Sequence, residues 1–163
     1  MAGGSSPPYG RRVNDSILIR PGSAADAAGI AEVFLAARGK MTYLPELHTD
    51  EETRAWISQV MVPDHEMWVA TANGEIVGFA ALSMDGLEHL YISPPEQGRG
   101  VGSELLSMAK RQRPEGLRLY VFQPNAGARR FYERHGFTAV EFGDGSGNEE
   151  GVPDALYAWP ERS

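Results

Sequence analysis

A glycine-rich stretch constrains the fold more than any other feature of the chain. It reads Leu-Glu-His-Leu-Tyr-Ile over residues 87–92, Gln-Gly-Arg-Gly-Val-Gly over 97–102, and then Ser-Glu-Leu-Leu. This pattern predicts a strand, a tight turn and a helix, in that order. The start of a helix carries unpaired N–H groups and a partial positive charge, and glycines let that backbone approach a bulky anion. The stretch is therefore suited to binding a phosphate or a pyrophosphate.

Two common phosphate-binding loops do not fit these residues. The dinucleotide fingerprint Gly-x-Gly-x-x-Gly would need a glycine at the position of Ser103. The P-loop needs a Gly-Lys pair, and no lysine directly follows these glycines. The pattern that fits is Gln97-x-x-Gly100-x-Gly102. Taken alone, it also fits a plain glycine turn between a strand and a helix.

A second block follows at a short distance along the chain. Apolar residues alternate over residues 117–122, which predicts a strand. Asn125 then stands where a helix begins, and Gly136 is placed to end that helix in the left-handed conformation. The helix carries Phe-Tyr-Glu over residues 131–133, and Phe137 follows the closing glycine.

In these two blocks the chain resembles the GNAT superfamily of acetyl-coenzyme A-dependent N-acetyltransferases. The resemblance extends over roughly residues 17–159. It implies an α/β (α+β) fold, the GNAT fold, with a mixed central β-sheet of about six to seven strands flanked by about four helices. Residues 16–163 would form the acetyltransferase domain, and residues 1–15 a disordered N-terminal tail.

Composition excludes several classes of protein. The 163 residues include no cysteine, so disulfides, thiolate nucleophiles and zinc–thiolate sites are excluded. The formal net charge of −7 argues against a nucleic-acid partner. No apolar run is long enough for a membrane span and the start of the chain does not resemble a secretory signal, so we expect a cytoplasmic protein. The four histidines lack metal-ligand spacing, and we expect no metal.

The resemblance implies acetyl-CoA as co-substrate, held mainly by backbone groups. Leu90, Tyr91 and Ile92 would pair with the pantetheine arm, and one of their N–H groups would polarise the acetyl carbonyl. The pyrophosphate would be held by the amides of Gln97, Gly98, Arg99, Gly100, Val101, Gly102 and Ser103. Arg99 could add a charge-assisted contact or be a solvated turn residue. Asn125 could cap its helix, contact pantetheine, or do both.

Two residues are candidates for catalysis. The resemblance makes Tyr132 the general acid at the thioester sulfur, and the alternative is a core aromatic residue. Glu88 is the candidate general base, directly or through water, and the alternative is an exposed residue of the sheet. Strict alternation places Glu88 on one face with Leu90, and Leu87 on the other face with His89. A partly buried carboxylate would have a raised pKa and so be a better base near neutral pH.

The acceptor would be a small-molecule or peptide amine, and the sequence does not choose among polyamine, aminoglycoside, amino acid and peptide. The resemblance places the acceptor near the loop that carries His48, which could be a base, a substrate contact or a plain loop residue. Acidic loop residues would favour a cationic amine if they line the site, and otherwise are solvated charges: Glu46, Asp144, Glu149, Glu150 and Asp154. The resemblance also allows a homodimer. The alternative function is a non-catalytic acyl-CoA-binding regulatory module of the same fold.

Overall fold

The structure, a computed structural model, describes residues 17–160. The tail expected over residues 1–15 lies outside this range. The strands are β1 (Ile17–Pro21), β2 (Glu66–Ala72), β3 (Glu75–Leu82), β4 (Leu87–Ile92), β5 (Leu117–Phe122), β6 (Thr138–Gly143) and β7 (Asp154–Trp159). The helices are α1 (Ala27–Arg38), α2 (Asp50–Trp56), α3 (Val62–Asp64), α4 (Val101–Gln112) and α5 (Ala126–Arg134). A π-helical segment, Ile57–Met61, joins α2 to α3, so these form one continuous helical stretch.

The strands form two antiparallel sheets, with the orders β1-β2-β3-β4 and β5-β7-β6. The predicted fold class and the strand number are confirmed. The single central sheet is instead divided between β4 and β5, which run parallel and share one bridge, between Gly86 and Arg118. Because that bridge lies where both strands begin, their other ends are free to diverge.

Local sequence signals account for several boundaries. Asn73 and Gly74 have φ values of 53° and 84°, which suit the tight hairpin between β2 and β3. The Thr49 hydroxyl accepts a hydrogen bond from the Glu52 N–H at 3.0 Å, and the Glu52 carboxylate accepts one from the Thr49 N–H at 2.9 Å. This capping box starts α2.

Two apolar clusters hold the helices against the sheets. On one face of the first sheet, α4 buries Leu105 and Leu106 in a cluster that also includes Tyr157 of β7. On the opposite face, α1 contributes Phe34 to a second cluster that also includes Phe79 of β3. The β4 strand therefore lies between two packed layers, and its position is fixed from both sides. None of the helices within residues 17–160 is long and apolar enough to cross a membrane.

Candidate active site

One edge of β4 is left open by the division between the sheets. The Arg118 N–H donates to the Asp85 carbonyl at 3.0 Å, next to the Gly86–Arg118 bridge. Beyond this point, no strand of the described chain pairs with that edge of β4. The backbone of residues 90–92 therefore presents an unpaired strand edge, to which an extended ligand can add. We call this gap the β4–β5 opening.

Two glycines with positive φ shape the turn that follows β4. Gly98 has a φ of 82° and Gly100 a φ of 89°, in the left-handed region that favours glycine. The first internal hydrogen bond of α4 ends on the Gly100 carbonyl, so the N–H groups of residues 101–103 precede the helical ladder. The Gln97 side chain donates to the Ile92 carbonyl at 3.0 Å and ties the turn to the end of β4. The predicted anion site is thus formed by backbone groups next to the open strand edge.

The remaining turn residues differ in what their side chains do. Val101 is 1% exposed, so only its backbone can face a ligand. A Cβ atom on Gly102 would lie 3.4 Å from the Phe131 ring. That is an ordinary van der Waals distance, so the packing of α4 against α5 does not by itself require a glycine at position 102. Arg99 is exposed, with its guanidinium available to an anion.

The Ser103 hydroxyl is engaged within the protein. It lies 3.1 Å from His135 Nε2, while His135 Nδ1 lies 2.8 Å from the Phe131 carbonyl. Because a carbonyl only accepts, Nδ1 carries the hydrogen of a neutral ring and Nε2 accepts from the hydroxyl. Ser103 can therefore serve an anion through its N–H group while its side chain fastens α4 to the end of α5.

Asn125 caps α5, as one of its two predicted roles requires. Its side-chain oxygen accepts a hydrogen bond from the Ala128 N–H at 3.1 Å. This leaves the amide nitrogen of Asn125 as the group that can serve a ligand.

Tyr132 lies on α5 and belongs to the core. The residue is 9% exposed, and its ring centroid lies 5.5 Å from that of Phe137. Burial, and secondarily the nearby Tyr91, raise the pKa of Tyr132 above its ordinary value. The raised pKa keeps the phenol protonated but also makes it a weaker acid, and a thiolate, whose thiol has an ordinary pKa of about 8.5, is a weaker base than this phenolate. Burial therefore supports the core interpretation, and the role of Tyr132 as general acid stays a prediction.

Of the two environments left open for Glu88, partly buried or exposed on the sheet, the structure has the exposed one. Its side chain is exposed, and its carboxylate accepts a hydrogen bond from the Ser83 hydroxyl at 2.7 Å. Glu88 is the second residue of β4 and Tyr91 is the fifth, so about 10 Å of strand separates them. Its role as a base stays a prediction, without the support that burial would have given.

A β-bulge interrupts the pairing of β4 at Glu88. Leu82 is opposite Leu87 and Ala81 is opposite His89, so Glu88 is an extra residue without a partner on β3. The bulge turns Leu87 into the same core cluster that the later even-numbered residues of β4 contact. The predicted grouping of Leu87 with His89 is therefore wrong, because alternation fails across the inserted residue.

His89 lies among aromatic rings on the α1 side of β4. The centroids of Phe34, Trp56 and Tyr91 are 6.3, 5.7 and 6.2 Å from that of His89. Burial, and secondarily His65, lower the pKa of His89 to about 4. The ring is neutral at pH 7 and a weak base, which supports the structural role expected for it.

Arg38, which sequence reasoning did not single out, connects three parts of the fold. From the end of α1 it donates to the Tyr91 hydroxyl at 3.3 Å and to the Glu150 carboxylate at 3.3 Å. Its guanidinium carbon lies 5.1 Å from the centroid of Phe34. The β6–β7 loop, residues 144–153, is thereby held near the end of β4. Only its place at a helix C-terminus, where cations are favourable, could have drawn attention to Arg38.

The acidic loop residues do not form an open anionic cluster. Glu150 accepts a hydrogen bond from Arg38, and three others of the five acidic candidates also have hydrogen-bond partners within the protein. The fifth, Glu46, is exposed. The pairs are Glu149 with His48 (3.2 Å), Asp144 with Ser146 (2.9 Å) and Asp154 with Asn148 (3.2 Å). The His48–Glu149 contact joins the α1–α2 loop, residues 39–49, to the β6–β7 loop. Within residues 17–160, no three His, Asp or Glu side chains are grouped so as to hold a metal ion.

Comparison with known proteins shows that the sequence is similar to acetyltransferases. The sequence profile of the acetyltransferase (GNAT) domain matches residues 63–139. The chain is 30% identical over 95 residues to the peptidyl-lysine N-acetyltransferase YiaC of Escherichia coli K12, covering 57% of this chain and 62% of YiaC. It is 36% identical over 77 residues to the peptidyl-lysine N-acetyltransferase YjaB of Salmonella typhimurium LT2, covering 47% of this chain and 52% of YjaB. The matches thus span between half and two thirds of these relatives.

The fold is also that of a solved structure with a bound ligand. The PaiA N-acetyltransferase of Thermoplasma acidophilum, in complex with coenzyme A, superimposes with a TM-score of 0.68 at 23% identity. The superposition covers 88% of this chain and 98% of that protein. At this level of identity, the likeness establishes the fold.

Proposed function

The chain belongs to the GNAT superfamily, and on this basis we propose that it transfers an acetyl group from acetyl-CoA to a primary amine. One observation carries the proposal. The open edge of β4 leads directly into a glycine turn and a helix start whose N–H groups are not used by the helix. An extended arm that ends in a pyrophosphate matches this arrangement, and pantetheine with its nucleotide has that form.

In the proposed complex, the amides of residues 97–103 bind the pyrophosphate and Arg99 adds a charge-assisted contact. The backbone of residues 90–92 pairs with the pantetheine arm, and Asn125 contacts the arm through its amide nitrogen. An N–H group of β4 polarises the thioester carbonyl as negative charge develops on its oxygen.

The proposed reaction is a direct attack without a covalent enzyme intermediate. The neutral amine nitrogen attacks the thioester carbon, the C–N bond forms, and the C–S bond breaks. The ammonium first gives its proton to a base, for which Glu88 is our candidate, directly or through water. The departing thiolate takes a proton from Tyr132, which burial keeps protonated, and the second proton released by the attacking nitrogen as the amide forms restores the Tyr132 phenol.

We propose a small-molecule or peptide amine as the acceptor, bound between the α1–α2 loop and the β6–β7 loop. The names of YiaC and YjaB favour a peptidyl lysine as the first acceptor to test. Because the loop carboxylates Glu149 and Glu150 are already paired within the protein, the proposal does not rely on a large excess of negative charge to bind the acceptor.

The direct test is thiol release from acetyl-CoA in the presence of pooled amines. The pools contain lysine peptides, free N-terminal peptides, amino acids, polyamines and aminoglycosides, and a reaction without amine measures background hydrolysis. Turnover with one pool supports the enzyme and gives its acceptor class. Calorimetric binding of acetyl-CoA without turnover in any pool favours the non-catalytic module. Absence of acetyl-CoA binding refutes both.

Three further expectations belong to this proposal. A net charge of −7 supports a protein that does not bind nucleic acid. A cytoplasmic location agrees with the supply of acetyl-CoA that the reaction needs, and fractionation of expressing cells tests it. Light scattering on a size-exclusion column distinguishes a homodimer from a monomer.

A further inference from the structure

The hydroxyl group of Tyr43 is buried without a hydrogen-bond partner. Tyr43 lies in the α1–α2 loop, and its oxygen is closed off from solvent. The side-chain amide of Asn125 interacts with this oxygen and opposes the rise in the Tyr43 pKa, but the pair lacks the geometry of a regular hydrogen bond. Tyr43 is the one buried side chain of the described residues with such an orphaned atom. A hydroxyl in this position destabilises the folded chain unless a ligand satisfies it.

Tyr43 lies at the end of β5 that is farther from the Gly86–Arg118 bridge. Its ring meets Phe122, the last residue of β5, edge-on at a centroid distance of 6.1 Å. Its hydroxyl interacts with that of Tyr91 near the end of β4, and Tyr91 in turn interacts with Tyr132. These interactions link the orphaned group, through Tyr91, to the phenol proposed as the general acid.

The surroundings of Tyr43 are rich in donors. Arg38 directs N–H groups towards this region, and the Asn125 oxygen is already used by the α5 cap. Burial, and secondarily Tyr91, raise the pKa of Tyr43, so its hydroxyl stays protonated near neutral pH. The nearby Arg38 charge also repels an ammonium group. A carbonyl oxygen is the partner that this environment lacks.

We propose that the Tyr43 hydroxyl donates a hydrogen bond to a carbonyl oxygen at the thioester end of bound acetyl-CoA, either the acetyl carbonyl or the adjacent pantetheine amide. Because the oxygen is covered in the structure, the contact requires the ring or its neighbours to rotate as the arm enters. This inference rests on the proposed function and adds a side-chain donor, from a loop outside both sequence motifs, to the backbone groups of β4.

Replacing Tyr43 with Phe tests the proposal. The variant removes one oxygen atom and keeps the ring against Phe122, so the protein should fold with an unchanged or higher Tm. Acetyl-CoA affinity, measured by calorimetry, should fall about fivefold, as expected for one lost neutral hydrogen bond. Tyr120→Phe is the matched control, because Tyr120 is 67% exposed on β5 and loses the same atom outside the opening.

The outcomes distinguish a failure of the Tyr43 assignment from a failure of the proposed function. Wild-type protein that binds acetyl-CoA, with Tyr43→Phe binding it equally well, overturns the assignment of Tyr43 and leaves the proposed function intact. A variant with unchanged acetyl-CoA affinity but a raised KM for the amine places Tyr43 on the acceptor, which also overturns the proposal. Wild-type protein that does not bind acetyl-CoA overturns the proposed function and this inference together. A lowered Tm with parallel loss of binding indicates a structural role and overturns it as well.

Discussion

Acidification should destabilise this protein through His89 well before most of its carboxylates are protonated. The ring is enclosed by Phe34, Trp56 and Tyr91, and its pKa is about 4 in the folded chain against 6.5 in an unfolded one. The unfolded chain therefore binds the proton more tightly than the folded chain. Stability from this residue is fully present above pH 6.5 and is lost as the pH falls through the folded pKa.

The difference between these two pKa values corresponds to about 3 kcal/mol of unfolding free energy. This stability is lost progressively as the pH falls from 6.5 to about 4. This is a large part of the total stability of a domain, about 5–15 kcal/mol. Asp26 and Glu66 also have lowered pKa values, but their contribution is lost mainly below 3.8 and 4.5.

The assay is urea unfolding at pH 7, 6, 5 and 4, for wild-type protein and for His89→Leu. The substitution also changes packing, which shifts the unfolding free energy at every pH. The informative quantity is therefore the loss of unfolding free energy between pH 7 and pH 4, which should be smaller in the variant by up to about 3 kcal/mol. The contributions of Asp26 and Glu66 to the pH dependence are the same in both proteins, so they cancel in the comparison. Equal losses for wild type and His89→Leu would refute the reasoning.

Three further predictions concern the proposed chemistry. Gly100→Ala places a Cβ at a φ of 89°, so unfolding free energy should fall about 1–2 kcal/mol and acetyl-CoA affinity should fall with it. Gly147→Ala, where a Cβ meets nothing within 4 Å, should do neither. Tyr132→Phe should lower kcat about 100-fold while the Kd for acetyl-CoA is retained. Glu88→Gln should lower kcat at neutral pH and change its pH profile, at unchanged Tm because Glu88 is exposed.

Each of these predictions has a result that contradicts it. Equal acetyl-CoA affinity in Gly100→Ala and wild type would mean that the turn does not hold the pyrophosphate. A normal kcat across the pH range in Tyr132→Phe would leave that residue a core aromatic only. A normal rate and pH profile in Glu88→Gln would remove it as the base and direct attention to water held near the opening.

Sequence patterns determined the parts of the fold that depend on neighbours in the chain. Asn73 and Gly74 specify a hairpin because few other residues accept their positive φ values. The glycine turn after β4 and the Asn125 cap follow from the same kind of local rule. These signals were sufficient to predict the element order and the glycine turn after β4.

Tertiary packing decided what depends on distant residues. The division between β4 and β5 and the bulge at Glu88 arise from strand pairing, and the bulge moved Leu87 to the side opposite the one that alternation predicted. Arg38 meets Glu150 across 112 positions of sequence, a contact that no local pattern specifies. A residue's own sequence neighbours set its backbone angles, whereas its burial and partners are set by which surfaces meet. The sequence by itself therefore determined the glycine turn, and only the folded chain brought Tyr43 and Tyr132 within electrostatic reach of Tyr91.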